Sequence, residues 1–356
     1  MSKPGEKANS SFNIVRRSAL MGAGATAISI FAPQMARGQT KGLVSTVYGG
    51  NWEQQYRKWV VEPFEKETGA KVTLKLGAPS EWFTNAVVNK NRPEIDLLLL
   101  PYPDSLRAVI DDIGLELKES EIPNLKDVVP HWWDQYNRKA VGLDYVSYGI
   151  SYRTDLIKTA PTSWADMWNP EYVGKLSLPS ANQPSVWQLI VVAAKIHGGS
   201  ETNLDPGFKA LAKLKGNVRK YFRSQPETVQ LLETGDAPVV MMGTDFSTYA
   251  MADAGKPVKF VIPKEGACAG IVSYHIAKNS ANAALCRQFV NHALGKRPQE
   301  GFCSGIGAGP VNKTAELSGP AKERVPRLSS LLIFDWMKVV PQMPAILDRW
   351  NREIGG

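Results

Sequence analysis

LVSTVYGGNWEQQYRKWVVEPFEKETGAKVTLKL, residues 43–76, carries the pattern that decides the fold. Leu43–Tyr48 is a short, mostly apolar run that stops at Gly49-Gly50, as a strand does when it enters a turn. The spacing then changes. Trp52, Tyr56, Val60 and Phe64 recur every four residues, which predicts a helix over 52–68 with its apolar side chains in one row. Gly69 stands where a left-handed residue closes such a helix. Lys71–Leu76 alternates as a second strand, a helix is expected near 80–89, and Ile95–Leu100 is a continuous apolar run of the kind found in strands covered on both faces. Strand, helix, strand, helix, strand opens a doubly wound α/β layer. Ligands in such sheets sit at the carboxyl ends of the strands, which places Asn51-Trp52 and Pro101-Tyr102 at a binding edge.

The same alternation resumes further on. Strands are expected at 146–152, 175–178, 238–243, 258–262 and 271–277, with helices near 164–168, 184–197, 206–214, 226–234, 246–254 and 281–294. Beyond Lys313 the chain is helical and punctuated by proline.

The N-terminus has a different character. Arg16-Arg17 precede an uncharged run of small and apolar residues from Ser18 to Met35, followed by Ala36-Arg37-Gly38. A basic start, a short apolar centre and a small-residue exit describe a cleavable export signal over 1–38. A membrane anchor would need about 20 strongly apolar residues, and this run is diluted by Gly and Ala. The arginine pair in RRSALM resembles a twin-arginine signal, although Ala19 stands where a bulky apolar residue is usual. Removing residues 1–38 takes away five basic residues and one acidic one, so the net charge of +8 falls to +4 over the remaining 318 residues. The remaining charges are interspersed, with no basic stripe, so nucleic-acid binding is not expected. A chain of that length suits two lobes and not one core.

Other chemistries lack their residues. There is no GxSxG, HExxH or Walker motif, so no enzyme is indicated. Gly305, Gly307 and Gly309 are spaced as in a nucleotide loop, but a helix precedes them and Pro310 follows, so they read as a plain loop. The four histidines are scattered and no CxxC occurs, so neither a metal nor a cofactor is expected. A ferric-ion site would need paired tyrosines, and Tyr249 has no neighbour. Cys268, Cys286 and Cys303 are either three buried small hydrophobes or one bridge and one free thiol, with Cys286–Cys303 as the pair to test.

Four segments, in order along the chain, resemble a known family: Tyr48–Val72, TSWADMWNPEYVGKLSLP at 162–179, PKEGACAGIVSYHIAKNSANAALCRQFVNHAL at 263–294, and GAGPVN at 307–312. They are similar to the spermidine/putrescine branch of the bacterial solute-binding proteins. The resemblance implies a two-lobed periplasmic-binding-protein fold of type II, with a hinge between α/β lobes at residues 40–144 plus 266–315 and at 145–265, and with 316–356 as helices packing on the lobes. It also implies a monomer in the periplasm that delivers a small-molecule ligand to an ABC-transporter permease in the inner membrane.

For the site, the resemblance implies that Asn51, Trp52 and Tyr102 contact the ligand from the first lobe. Trp52 would supply a ring face to an ammonium or alkyl chain. The departures are in the second lobe. Where polyamine members carry carboxylates, this chain has Pro179-Ser180-Ala181-Asn182-Gln183, and where they carry tryptophan and aspartate it has Gly243, Gly270 and Val272. Ser180, Gln183, Gly270 and Val272 are therefore candidate lining residues in a cleft expected to lack the polyamine counter-charges. Arg223, at a strand–helix junction, and Thr244-Asp245, after a strand, offer one charge of each sign. An arginine for a carboxylate and an aspartate for an ammonium would suit a small zwitterion such as an ω-amino acid. Arg223 also reads as a surface residue and Asp245 as a helix cap; polyamine binding remains the alternative.

If Arg16-Arg17 direct twin-arginine export, replacing both with lysine should leave uncleaved precursor in the cytoplasm on fractionation. Normal maturation of the Lys-Lys variant would assign the signal to the general secretory route.

Overall fold

The computed structural model describes residues 42–355; the expected signal at 1–38 lies outside the described residues. Nine principal strands can be followed along the chain: β1 (Gly42–Val47), β2 (Lys71–Leu76), β3 (Leu97–Pro101), β4 (Val141–Arg153), β5 (Leu176–Pro179), β6 (Val218–Phe222), β7 (Val239–Thr244), β8 (Val258–Val261) and β9 (Ala267–Ile276). Two short ones, β10 (Gly309–Pro310) and β11 (Leu331–Leu332), join later. The path through the sheet is β2-β1-β3-β9-β4-β7-β5-β6.

The pairings divide this path. At one end β2, β1 and β3 are parallel, and at the other β7, β5 and β6 are parallel. Between them β9 and β4 run antiparallel to each other and to their outer neighbours β3 and β7. Two parallel α/β halves are thus joined through two long antiparallel strands. The expected lobe boundaries fall inside β4 and immediately before β9.

The opening segment folds as its spacing requires. Helix runs from Asn51 to Thr68 and Gly69 closes it at φ 69°. Over Arg57–Val61 it loosens to π geometry. Pro63 stands two residues beyond, and its ring nitrogen has no hydrogen to give the carbonyl four residues back. Tyr56, Val60 and Phe64 are buried, and the Tyr56 hydroxyl lies 2.7 Å from that of Tyr274 on β9.

β4 is longer than its sequence suggested, starting at Val141 instead of Val146. Gly142 and Asp144 disguise its first half. Its register with β9 slips between Gly142 and Asp144, leaving Leu143 as an extra residue. A bulge of this kind bends a strand and re-aims its side chains. The freed Leu143 carbonyl accepts from Nε2 of the fully buried Gln299 at 2.9 Å, and Gln299 Oε1 takes the Val311 amide at 2.9 Å. Both faces of that amide are used to hold the bulge.

The C-terminal segment ties several elements together. β11 pairs with β9, Trp336 lies 5.3 Å from the Tyr102 ring, and Arg324 pairs with Asp253. The last helix, Met343–Glu353, sets the buried Trp350 against Tyr221 of β6.

The three cysteines are unpaired and buried, which corrects the suggested Cys286–Cys303 bridge. Each sits in apolar surroundings that push its thiol up, Cys286 to about 12. Each behaves as a small core hydrophobe. Thiol titration should give three reactive groups in denaturant without reductant and almost none in the native protein. Fewer than three after denaturation would restore a bridge.

Candidate functional site

The floor of the site is the β4–β9 ladder. Asp144 pairs with Val272, and Val146 with Gly270. Because side chains alternate along a strand, Asp144, Val146 and Tyr148 share one face. That face borders two adjoining compartments with Val146 and Val272 common to both. The larger, about 340 Å³, is walled by Tyr48, Asn51 and Trp52 on one side and Phe246 on the other, with Asp144 in its floor. The smaller, about 90 Å³, lies between Pro101-Tyr102 and Pro184 and Gln188, over Gly270.

The absence of a side chain at Gly270 shapes this floor. A Cβ there would meet the Tyr148 ring at 2.6 Å. The space beside Gly270 is taken by this ring from the neighbouring strand.

Asp144 dominates the electrostatics. It is 2% exposed, its Oδ1 has no hydrogen-bond partner in the protein, and burial pushes its carboxyl up to about 8. A buried carboxylate without a partner is costly, so its ionised form needs a cation. Asp96 shows the contrast. That buried carboxylate takes the Val44 amide at 2.8 Å, the Ser280 hydroxyl at 2.6 Å and the Asn282 side chain at 3.2 Å, and it serves structure. Asp245 is intermediate: burial pushes it up to about 7, against hydrogen bonds from the amides of Phe246 at 2.7 Å and Ser147 at 3.2 Å. The Tyr48 hydroxyl is also buried without a partner, and its phenol is raised first by burial and then by the nearby Asp144 charge.

Aromatic rings frame the carboxylate. Trp52 is half-buried, stacks on Tyr56 at 4.9 Å, and receives Tyr48 edge-on at 5.2 Å. Asn51 anchors the start of its helix by donating to the Gly305 carbonyl at 3.1 Å. Phe246, 42% exposed, stands opposite. Such faces accept alkyl chains and cations.

The expected site residues divide into two groups. Asn51 and Trp52 line the larger compartment, Tyr102 and Gly270 the smaller, and Val272 both. Asp245 lies next to Phe246, with its carboxylate held by backbone amides. Thr244 is buried, with an unpartnered hydroxyl. Ser180, Gln183 and Arg223 gather at the ends of β5 and β6, where the Ser180 amide donates to Phe222 and Gln183 Nε2 donates to the Arg223 carbonyl. None of these three, nor Thr244, lines either compartment.

Arg223 and Asp245 stand apart in the structure. β6 is two strands out from β7, about 10 Å at ordinary strand spacing, and Arg223 is exposed there. Asp144, on the central strand, is a carboxylate beside the cleft that the sequence reading did not include. Sequence reasoning missed Asp144, Tyr148, Gln188 and Phe246. The available signal was an acidic residue inside the otherwise apolar VGLDYV, with Val146 and Tyr148 following at two-residue spacing.

Comparison with known proteins gives the family of the chain. Residues 59–326 match the family described as bacterial extracellular solute-binding protein. The chain is 23% identical over 296 residues to a spermidine/putrescine-binding periplasmic protein of Haemophilus influenzae, covering 81% of each. It is 22% identical over 286 residues to a gamma-aminobutyric acid-binding protein of Pseudomonas aeruginosa, covering 78% of this chain and 79% of the relative. A crystal structure of an ABC transporter protein from Clostridium perfringens superposes with a TM-score of 0.79 at 27% identity, covering 88% of this chain and 99% of the other.

The raised carboxyls set a pH dependence. Between the ordinary carboxylate value near 4 and about 8, folded Asp144 keeps a proton that the unfolded chain has released. Unfolding then releases protons, and stability falls as pH rises across that window. The melting temperature of unliganded protein should be higher near about pH 5 than near about pH 8.5, and Asp144→Asn should flatten the difference. An unchanged slope in that variant would assign the titration elsewhere.

Proposed function

Since the chain belongs to the bacterial extracellular solute-binding proteins, we propose that it is the extracytoplasmic binding component of an ABC importer and that it captures a small amine-bearing solute over β4 and β9. The observation that carries this reading is Asp144, a buried carboxylate with a free oxygen at the floor of an aromatic-walled compartment. An ammonium group would meet the carboxylate, and Trp52, Tyr48 and Phe246 would cover its alkyl chain. Relatives named for spermidine, putrescine and gamma-aminobutyric acid share that amine, which supports the class without choosing a member.

The remaining features are read in the same frame. Residues 40–144 with 266–315, and 145–265, would move as two lobes about β4 and β9, closing on the ligand. Residues 1–38 would direct export, by the twin-arginine route, to the periplasm, where a monomer meets its permease. Binding in place of catalysis, with neither metal nor cofactor, completes the reading.

A zwitterion is the second reading, and Arg223 supports it. Among the described residues its exposed guanidinium has no acidic partner, at the same sheet edge as Ser180 and Gln183. Lobe closure would bring it toward a ligand carboxylate.

Calorimetry with putrescine, spermidine and 4-aminobutyrate tests both. Asp144→Asn should weaken whichever amine binds by about 2–5 kcal/mol, as expected when one partner of a buried charge pair is lost. Arg223→Ala should weaken 4-aminobutyrate alone. Amine binding unaffected by Asp144→Asn would remove the carboxylate from recognition.

A further inference from the structure

The smaller compartment has its own chemistry. Gln188, in the first turns of the helix Ser185–Ile196, is 3% exposed and forms part of the compartment's wall. Its Nε2 donates to the Ala269 carbonyl of β9 at 2.6 Å. A carbonyl only accepts, so this bond fixes which way the amide faces. Oε1 must then be the other end, and it is buried with no partner in the protein. The larger compartment has a carboxylate in its floor, whereas the unpartnered atom of Gln188, in the wall of the smaller one, is a neutral oxygen that can only accept. The nearby Ser185 hydroxyl, also buried and unpartnered, can donate or accept and so does not discriminate.

We infer that Gln188 is a specificity-determining residue, and that the distal end of the ligand carries a hydrogen-bond donor, a hydroxyl or a second amine, which Gln188 Oε1 accepts between Tyr102 and Tyr148. This rests on the amine reading for Asp144 and extends it. An alkyl end would leave Oε1 buried and unpaired, the costly outcome for a polar atom. A carboxylate end would set lone pairs against lone pairs. The solute is then a diamine or an amino alcohol, and a simple amino acid is disfavoured.

Isothermal calorimetry on the mature protein would use four ligand types of matched length, in four- to six-carbon series: alkylamines, amino alcohols, diamines and ω-amino acids. The amino alcohol and the diamine should bind at least about tenfold more tightly than the alkylamine. Gln188→Met should cut that preference to near unity while leaving alkylamine affinity in place. Equal affinity for alkylamine and amino alcohol would overturn the inference, as would a preference unchanged in Gln188→Met. Tightest binding by the ω-amino acid would show the helix N-terminus reading the distal group instead, and would also overturn it, with the role of Asp144 intact. Failure of every amine to bind the wild type would sink the amine reading itself. Should Gln188→Met not fold, the wild-type series alone decides.

Discussion

The antiparallel pair β4 and β9 is the seam through which the two parallel halves of the sheet are joined. Everything else is hung on that ladder. It carries the chain from one half to the other, and both compartments lie on its upper face. The Leu143 bulge, held by Gln299, interrupts it one residue before Asp144. The residue that most needs an outside partner is thus placed where the chain is most constrained.

Two of the three buried aspartates, Asp96 and Asp144, set a satisfied carboxylate beside an unsatisfied one in the same molecule. Asp96 has its oxygens taken by protein donors, and those bonds knit β1 to the loop after β9. Asp144 has a free oxygen and rings around it. Desolvation is a cost in both cases, and only Asp96 has it offset within the fold.

Much of this was legible in the chain. The helix of residues 51–68 and its glycine cap follow from spacing, as do the buried strand Leu97–Leu100 and the second-half helices, because local periodicity reports which face is covered. Asn51, Trp52 and Tyr102 were legible for the same reason, since they sit at strand ends that topology directs to a cleft. Asp144 was not. Its strand crosses between halves, and the glycine and the acid that suit a bulge and a binding floor are the residues that make a segment look unlike a strand. The separation of Arg223 from Asp245 was not legible either, because sequence distance says nothing of β5 lying between their strands. Gln188 was hidden inside a helix whose ten leading residues are all buried, where one polar side chain is easily taken for packing.

The three reduced cysteines bear on where this protein can acquire its shape. Many chains destined for an oxidising compartment complete their fold only when sulfur atoms are joined there. Cys268, Cys286 and Cys303 instead contribute apolar volume, and nothing in the native packing waits for an oxidant. The finished tertiary structure is therefore equally attainable in the reducing interior where the polypeptide is synthesised, and thiol chemistry places no order on folding and translocation.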